Sequence, residues 1–216
     1  AHAYFFNGSD LTEYYNPDTE HYYMVVDQPG VTWGGAAFAW DSNTDYHLAT
    51  PQSLDENNFV WGLIETFPSD FSSDLSALSA NRKYWLGGLY SLSGNPSDGP
   101  DGLGAGWYWV EGQGKFWNDT GPYGSGLLSP SEAAAAQAAW ETDQIAGQYT
   151  NWQTGARPWQ TDFYVYEPSG DGKSDGDSRL AMYSLAGDNI YNHMGWWNDQ
   201  DKDDISRIYG YVLESF

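Results

Sequence analysis

Twelve tryptophans, seventeen tyrosines and nine phenylalanines make up 18% of this 216-residue chain. Each such ring removes roughly 150–250 Å² from water when it packs. A chain this rich in rings folds around an aromatic core or presents flat aromatic faces to a ligand. For any single Trp both readings stand. There is no cysteine, so nothing covalent assists the core. Disulfides, zinc–thiolate sites, thiol nucleophiles and iron–sulfur clusters are excluded. An apolar fraction of 40% suffices for a core and sets the chain apart from disordered acidic tails. The length fits one domain.

Acidic side chains number 30 and basic ones 8, a formal net charge of −22. That balance argues against binding nucleic acid or an anionic membrane, which needs a basic patch. No run of about 18 apolar residues suggests a membrane-spanning helix, and no signal peptide is visible. Ala1 starts in mid-pattern, as in a domain excised from a longer multidomain chain. The excess acid reads either as a salt-adapted coat or as calcium sites, since Ca²⁺ takes carboxylate, amide and carbonyl oxygens. Flat rings beside acids and amides also point toward sugar.

Residues 1–18 read as polar and turn-rich, broken at Asn7-Gly8 and Asn16-Pro17. Tyr22 to Val26 reads as a strand. Thr32 is placed to cap a helix through Trp33, Ala36, Ala37 and Trp40. Ser53-Leu54-Asp55-Glu56 is a capping box opening a second helix toward Glu65, with Leu54, Asn58 and Trp61 along it. Tyr84 to Leu89 reads as a strand whose glycines mark a bend or a close backbone approach. Trp107 to Val110 is another. Ser129-Pro130-Ser131-Glu132 is a second capping box, before an alanine-rich helix ending near Gly147. Phe163–Tyr166, Leu180–Tyr183 and Ile208–Glu214 complete the strands. No repeat of 20–50 residues is apparent. The sum is an α+β domain with long loops.

In order, these pieces resemble a C-type lectin-like domain of the cysteine-free bacterial type found in large calcium-dependent surface adhesins. The resemblance runs from about Tyr22 to Ser215. Tyr22-Tyr23 resembles the family's first-strand pair, and Trp33 to Ala39 its first helix. His47 to Thr50 with Asp55 to Val60 resembles the second-helix signature. Tyr84-Trp85-Leu86-Gly87-Gly88-Leu89 resembles the "WIGL" core, and Trp107-Tyr108-Trp109 the "W-x-W" after it. Tyr149-Thr150-Asn151-Trp152 resembles the "NW" segment, Trp197-Asn198-Asp199 the "WND" motif, and Gly210 to Glu214 the terminal strand. The resemblance implies one domain over 1–216 with a core at about 20–216. It has two early helices, short antiparallel strands, long calcium-binding loops and an inserted helix. Insertions fall near 66–82, 91–105 and 118–148.

The resemblance also implies a shared calcium and sugar site. Glu167-Pro168-Ser169 takes the place of the family's Glu-Pro-Asn. An X–Pro bond adopts the cis form at little cost, which would turn Glu167 and Ser169 toward one point. The expected metal ligands are Glu167, Ser169, Asp175 or Asp177, Asn198 and Asp199. The sugar would touch Glu167, Ser169, Asp177, Asn198 and Asp199, with His193 and Trp159 nearby. Trp159, Trp196 and Tyr166 are candidate ring platforms. Asp201, Asp203 and Asp204 read more readily as a charged turn than as another site. His2, His21, His47 and His193 show no metal spacing.

No nucleophile elbow or phosphate loop is present. The expected function is non-enzymatic, calcium-dependent glycan binding at a bacterial cell surface. Its partners would be host or microbial glycans, with fucose or mannose favoured. A protein-binding lectin-like domain and a two-carboxylate glycoside hydrolase are the alternatives.

Overall fold

A computed structural model describes residues 2–6, 9–38, 45–65, 82–92, 104–110, 114–118, 126–152, 154–157, 160–166, 168, 178–183 and 195–215. In chain order the strands are β1 (His2–Phe6), β2 (Ser9–Asn16), β3 (His21–Asp27), β4 (Tyr46–Leu48), β5 (Lys83–Ser91), β6 (Gly106–Trp109) and β7 (Lys115–Trp117). They continue as β8 (Gly126–Leu127), β9 (Thr154–Arg157), β10 (Gln160–Tyr166), β11 (Ser178–Tyr183), β12 (Trp197–Asp201) and β13 (Ile208–Ser215). The helices are α1 (Trp33–Phe38), α2 (Leu54–Glu65) and α3 (Pro130–Thr142). The α+β expectation is met.

The main sheet runs β1-β2-β3-β13-β5-β11-β12. Its middle strand, β13, pairs antiparallel with β3 and parallel with β5. β4 also adds to β13, and β6 and β7 extend from β5. A smaller sheet has the order β8-β10-β9.

The apolar runs are explained by burial on both faces. Successive strand residues point to opposite sides of a sheet. Tyr23, Val25, Tyr84, Leu86, Leu180, Met182 and Val212 enter one core. Their neighbours Met24, Val26, Trp85, Ala181, Tyr211 and Leu213 enter the other. The first core takes Val60 and Ile64 of α2, and the second takes Ala36 of α1. A two-faced strand shows no alternation in sequence, only a continuous apolar stretch.

Gly87 and Gly88 mark close approach, as expected. A Cβ at Gly87 would stand 2.6 Å from the Leu48 carbonyl oxygen, and one at Gly88 would stand 2.7 Å from the Leu180 Cβ.

Several expectations need correction. Residues 2–6 and 9–16, read as polar and turn-rich, form two paired strands, of which β2 also pairs with β3. Helix α2 buries Glu56, Asn57, Val60 and Ile64, while Leu54 and Asn58 are exposed. Its capping box is half made. The Glu56 N–H donates to the Ser53 hydroxyl at 3.1 Å. The Glu56 carboxylate instead accepts from the Gln52 N–H at 2.8 Å and the Tyr23 hydroxyl at 2.7 Å. Packing against β3 draws it inward.

The box at Ser129 is complete, with Glu132 reaching back to the Ser129 N–H at 2.8 Å. Those bonds hold the Glu132 carboxyl below its ordinary range. Helix α3 stops at Thr142, before Gly147. Ser129→Ala should cost about 1 kcal/mol, read as a lower urea midpoint with an unchanged slope.

Candidate functional site

The expected site lies where β11 and β12 run side by side. Ser178 faces Asp201, Leu180 faces Asp199 and Ala181 faces Asn198 across this ladder. The Trp197-Asn198-Asp199 motif is therefore a strand, not a turn. Its entry is fastened from two directions. Gly195 offers its carbonyl to the side-chain amides of Asn57, at 3.2 Å, and Asn151, at 2.8 Å. The Trp197 N–H donates to the Asn151 carbonyl at 2.8 Å. The Trp197 indole N–H donates to the Asn57 side-chain oxygen at 2.8 Å.

Trp197 is fully buried among rings. Trp109, Trp152, Tyr149 and Phe116 meet it edge-on, with centroids 5.5, 5.8, 5.6 and 5.9 Å away. Among the described residues, many of the aromatic rings thus belong to the core that holds Trp197. Burial pushes the Tyr149 phenol above its ordinary range.

The ladder separates the amide and the acid of the motif. Asp199 lies opposite Leu180 and shares the face of Trp197 and the first core. Asn198 lies opposite Ala181, on the face of the second core. There the Lys83 ammonium donates to the Asn198 side-chain oxygen, and to that of Gln200 at 2.5 Å. Lys83 also lies over the Tyr183 ring, 5.1 Å from its centroid. Gln200 passes the contact on to the Asp204 carboxylate at 2.7 Å.

Asn198 and Asp199 are the two expected ligands among the described residues. The Asn198 oxygen accepts from the Lys83 ammonium, on the opposite side of the strand from the Asp199 side chain. Asp199 is a fully buried carboxylate and a hard oxygen donor of the kind calcium takes. The other named residues, Glu167, Ser169, Asp175, Asp177, His193 and Trp159, lie outside the described residues. Pro168 is buried, and Trp196 is half-buried.

Asp201, Asp203 and Asp204 make a charged turn. The Asp203 N–H donates to the Asp201 carboxylate at 2.8 Å, and Lys202 pairs with Asp203 at 2.8 Å. The Ser206 hydroxyl, donating at 2.7 Å, is the main cause of an Asp204 carboxyl below its ordinary range.

Sequence reading missed Asn57, Lys83 and Gln200 as the groups that hold β12. Polar residues inside the apolar runs were the available signal. A Lys beginning a continuous apolar strand, as in Lys83 to Tyr90, has to find an acceptor inside the fold.

No protein-family model matches the chain, and no curated protein matches it. Among solved structures it is similar to the C-type lectin CEL-I from Cucumaria echinata, at 15% identity and a TM-score of 0.47, over 94% of each chain. It is similar to the carbohydrate-recognition domain of the mouse scavenger receptor C-type lectin, at 14% identity and 0.46, over 94% of each chain. Human lithostathine is similar at 14% identity and 0.45, over 95% of each chain.

Proposed function

We propose that this chain is a C-type lectin-like domain that binds carbohydrate through calcium, with fucose or mannose as the favoured sugars. We place it at a bacterial cell surface, as the glycan-binding part of an adhesin, without enzymatic activity. The observation that carries the reading is the β11–β12 register. The acidic segment 167–177 leads directly into Ser178, two residues before Leu180, the partner of Asp199. Ser178 itself pairs with Asp201, and at about 3.3 Å per residue along a strand it lies roughly 7 Å along the ladder from the Leu180–Asp199 pair.

In this reading Glu167, Ser169, Asp199 and one of Asp175 and Asp177 supply hard oxygens to one calcium. Bonds would be about 2.3–2.6 Å. The bound ion would supply a Lewis-acidic point for two adjacent sugar hydroxyls. The same side chains accept hydrogen bonds from those hydroxyls. Asn198 joins them as a fifth ligand by exchanging its bond from Lys83 for the ion. His193 and Trp159 remain candidates for contact with the sugar.

The test is a glycan array probed in calcium and again in chelator, followed by titration calorimetry. Glu167→Gln keeps the side-chain shape and removes one charge. It should weaken calcium and fucose or mannose binding together, by about tenfold or more for each, the scale for a lost charged hydrogen-bonding contact of about 1.5–3 kcal/mol. Unchanged sugar affinity and calcium dependence in that variant would place the site elsewhere. Turnover of fucosylated or mannosylated oligosaccharides in chelator would favour the hydrolase instead.

A further inference from the structure

A second constellation lies at the junction of β3, α2 and β13. It involves none of the residues assigned to glycan binding. His21, on β3, is half-buried, whereas Glu56 on α2 and Glu214 on β13 are 4% and 1% exposed. One donor atom from each residue can be chosen so that all three lie within 4.8 Å of one another. His21 Nδ1 is 2.6 Å from Glu214 Oε1. The Tyr23 hydroxyl lies between the acids, 2.7 Å from Glu56 Oε1 and 3.3 Å from Glu214 Oε1.

Each carboxylate is held by its other oxygen. The Thr50 N–H and hydroxyl donate to Glu214 Oε2 at 2.8 and 3.2 Å. The Gln52 N–H donates to Glu56 Oε2 at 2.8 Å. The two Oε2 atoms are thus pinned to the chain leading into α2, and the two Oε1 atoms are turned toward Tyr23 beside the imidazole. Pinning the outer atoms of a carboxylate is how proteins fix metal ligands in place.

The charge is out of balance. Two buried carboxylates face one imidazole, and the other donors named here are neutral. Burial and the Glu214 charge push the Glu56 carboxyl above its ordinary range. A dication would neutralise the pair. Tetrahedral coordination at ~2.1 Å needs donors roughly 3.4 Å apart, a distance that modest side-chain rotations reach from here.

We propose that His21, Glu56 and Glu214 form a binding site for a borderline dication of the Zn²⁺ class, tying α2 to the two neighbouring strands. The imidazole decides the class. Calcium and magnesium take oxygen ligands and have little use for a ring nitrogen, whereas nitrogen-plus-carboxylate sets suit zinc and its neighbours. His21 is on the solvent side of the cluster and gives an ion its way in.

The experiment uses the full chain, stripped with chelator and titrated with zinc chloride in a calorimeter. Histidine proton resonances are followed by NMR in parallel. The expected result is one zinc per chain, bound at least tenfold more tightly than calcium, with the His21 ring resonances shifting in step. In His21→Ala the affinity should drop at least tenfold. The NMR readout holds on the wild-type chain even if a variant folds poorly. No zinc uptake, zinc uptake that leaves His21 unmoved, or calcium bound as tightly as zinc would overturn the proposal. Glycan binding is scored separately, so failure here leaves the lectin reading intact, and the reverse holds too.

Discussion

Replacing Trp197 with alanine is expected to remove about 3–5 kcal/mol of stability, the range for deleting a buried Trp or Phe ring. Two separate losses add. The first is packing: the ring is fully buried and touches Trp109, Phe116, Tyr149 and Trp152 edge-on. Edge-to-face pairs contribute beyond simple burial. The second is polar: the indole N–H satisfies the Asn57 side-chain oxygen inside the protein. Trp197→Phe separates the two losses, since it keeps most of the ring and drops only the hydrogen bond. It should cost about 1–3 kcal/mol, the penalty for an unsatisfied buried group. Urea unfolding of both variants gives the values. Equal losses would show that the hydrogen bond, not ring packing, fastens β12.

Glu214→Ala is expected to be about as damaging. Each buried donor left without an acceptor typically costs about 1–3 kcal/mol, and Glu214 serves more than one. Its carboxylate takes bonds from Thr50, Tyr23 and His21. Without it the buried Thr50 N–H loses its carboxylate acceptor. Glu214→Gln keeps an oxygen for Thr50 and should lose clearly less. The order wild type, then Gln, then Ala in thermal midpoint is the result to look for. If Ala matches Gln, the carboxylate contributes through its charge alone.

The fold was legible where a physical rule acts locally. The central strands showed as continuous apolar runs because they are buried on both faces. The Ser129 box showed because all its partners lie within four residues. The glycines at 87 and 88 announced a close approach. Elsewhere the deciding partner was remote. Glu56 left its helix box for Tyr23, thirty-three positions away. The His21 cluster has no spacing in sequence, because Glu214 lies 193 positions from His21. The pairing of β1 with β2 has another ground: the sequence reads Asn7-Gly8 as a breaker, and an Asn-Gly between alternating residues is equally a hairpin signal. At the candidate site, the Trp197-Asn198-Asp199 motif marked the segment without showing that it is a strand. Motif spacing alone does not reveal strand alternation, and alternation is what sends Asn198 to Lys83 and Asp199 to the other face.

The position of β13 in the sheet has a consequence for synthesis. A ribosome delivers this strand after every other described strand, yet β3, β4 and β5 all pair with it. Until it emerges, β3 and β5 have no partner between them, and both cores stay open at the middle. The nascent chain therefore displays two apolar sheet faces while waiting, a state that invites aggregation. Contacts spanning nearly the whole chain also make refolding slow. Growth at low temperature or with holding chaperones should raise the soluble yield more than any change to the translation of the first hundred residues.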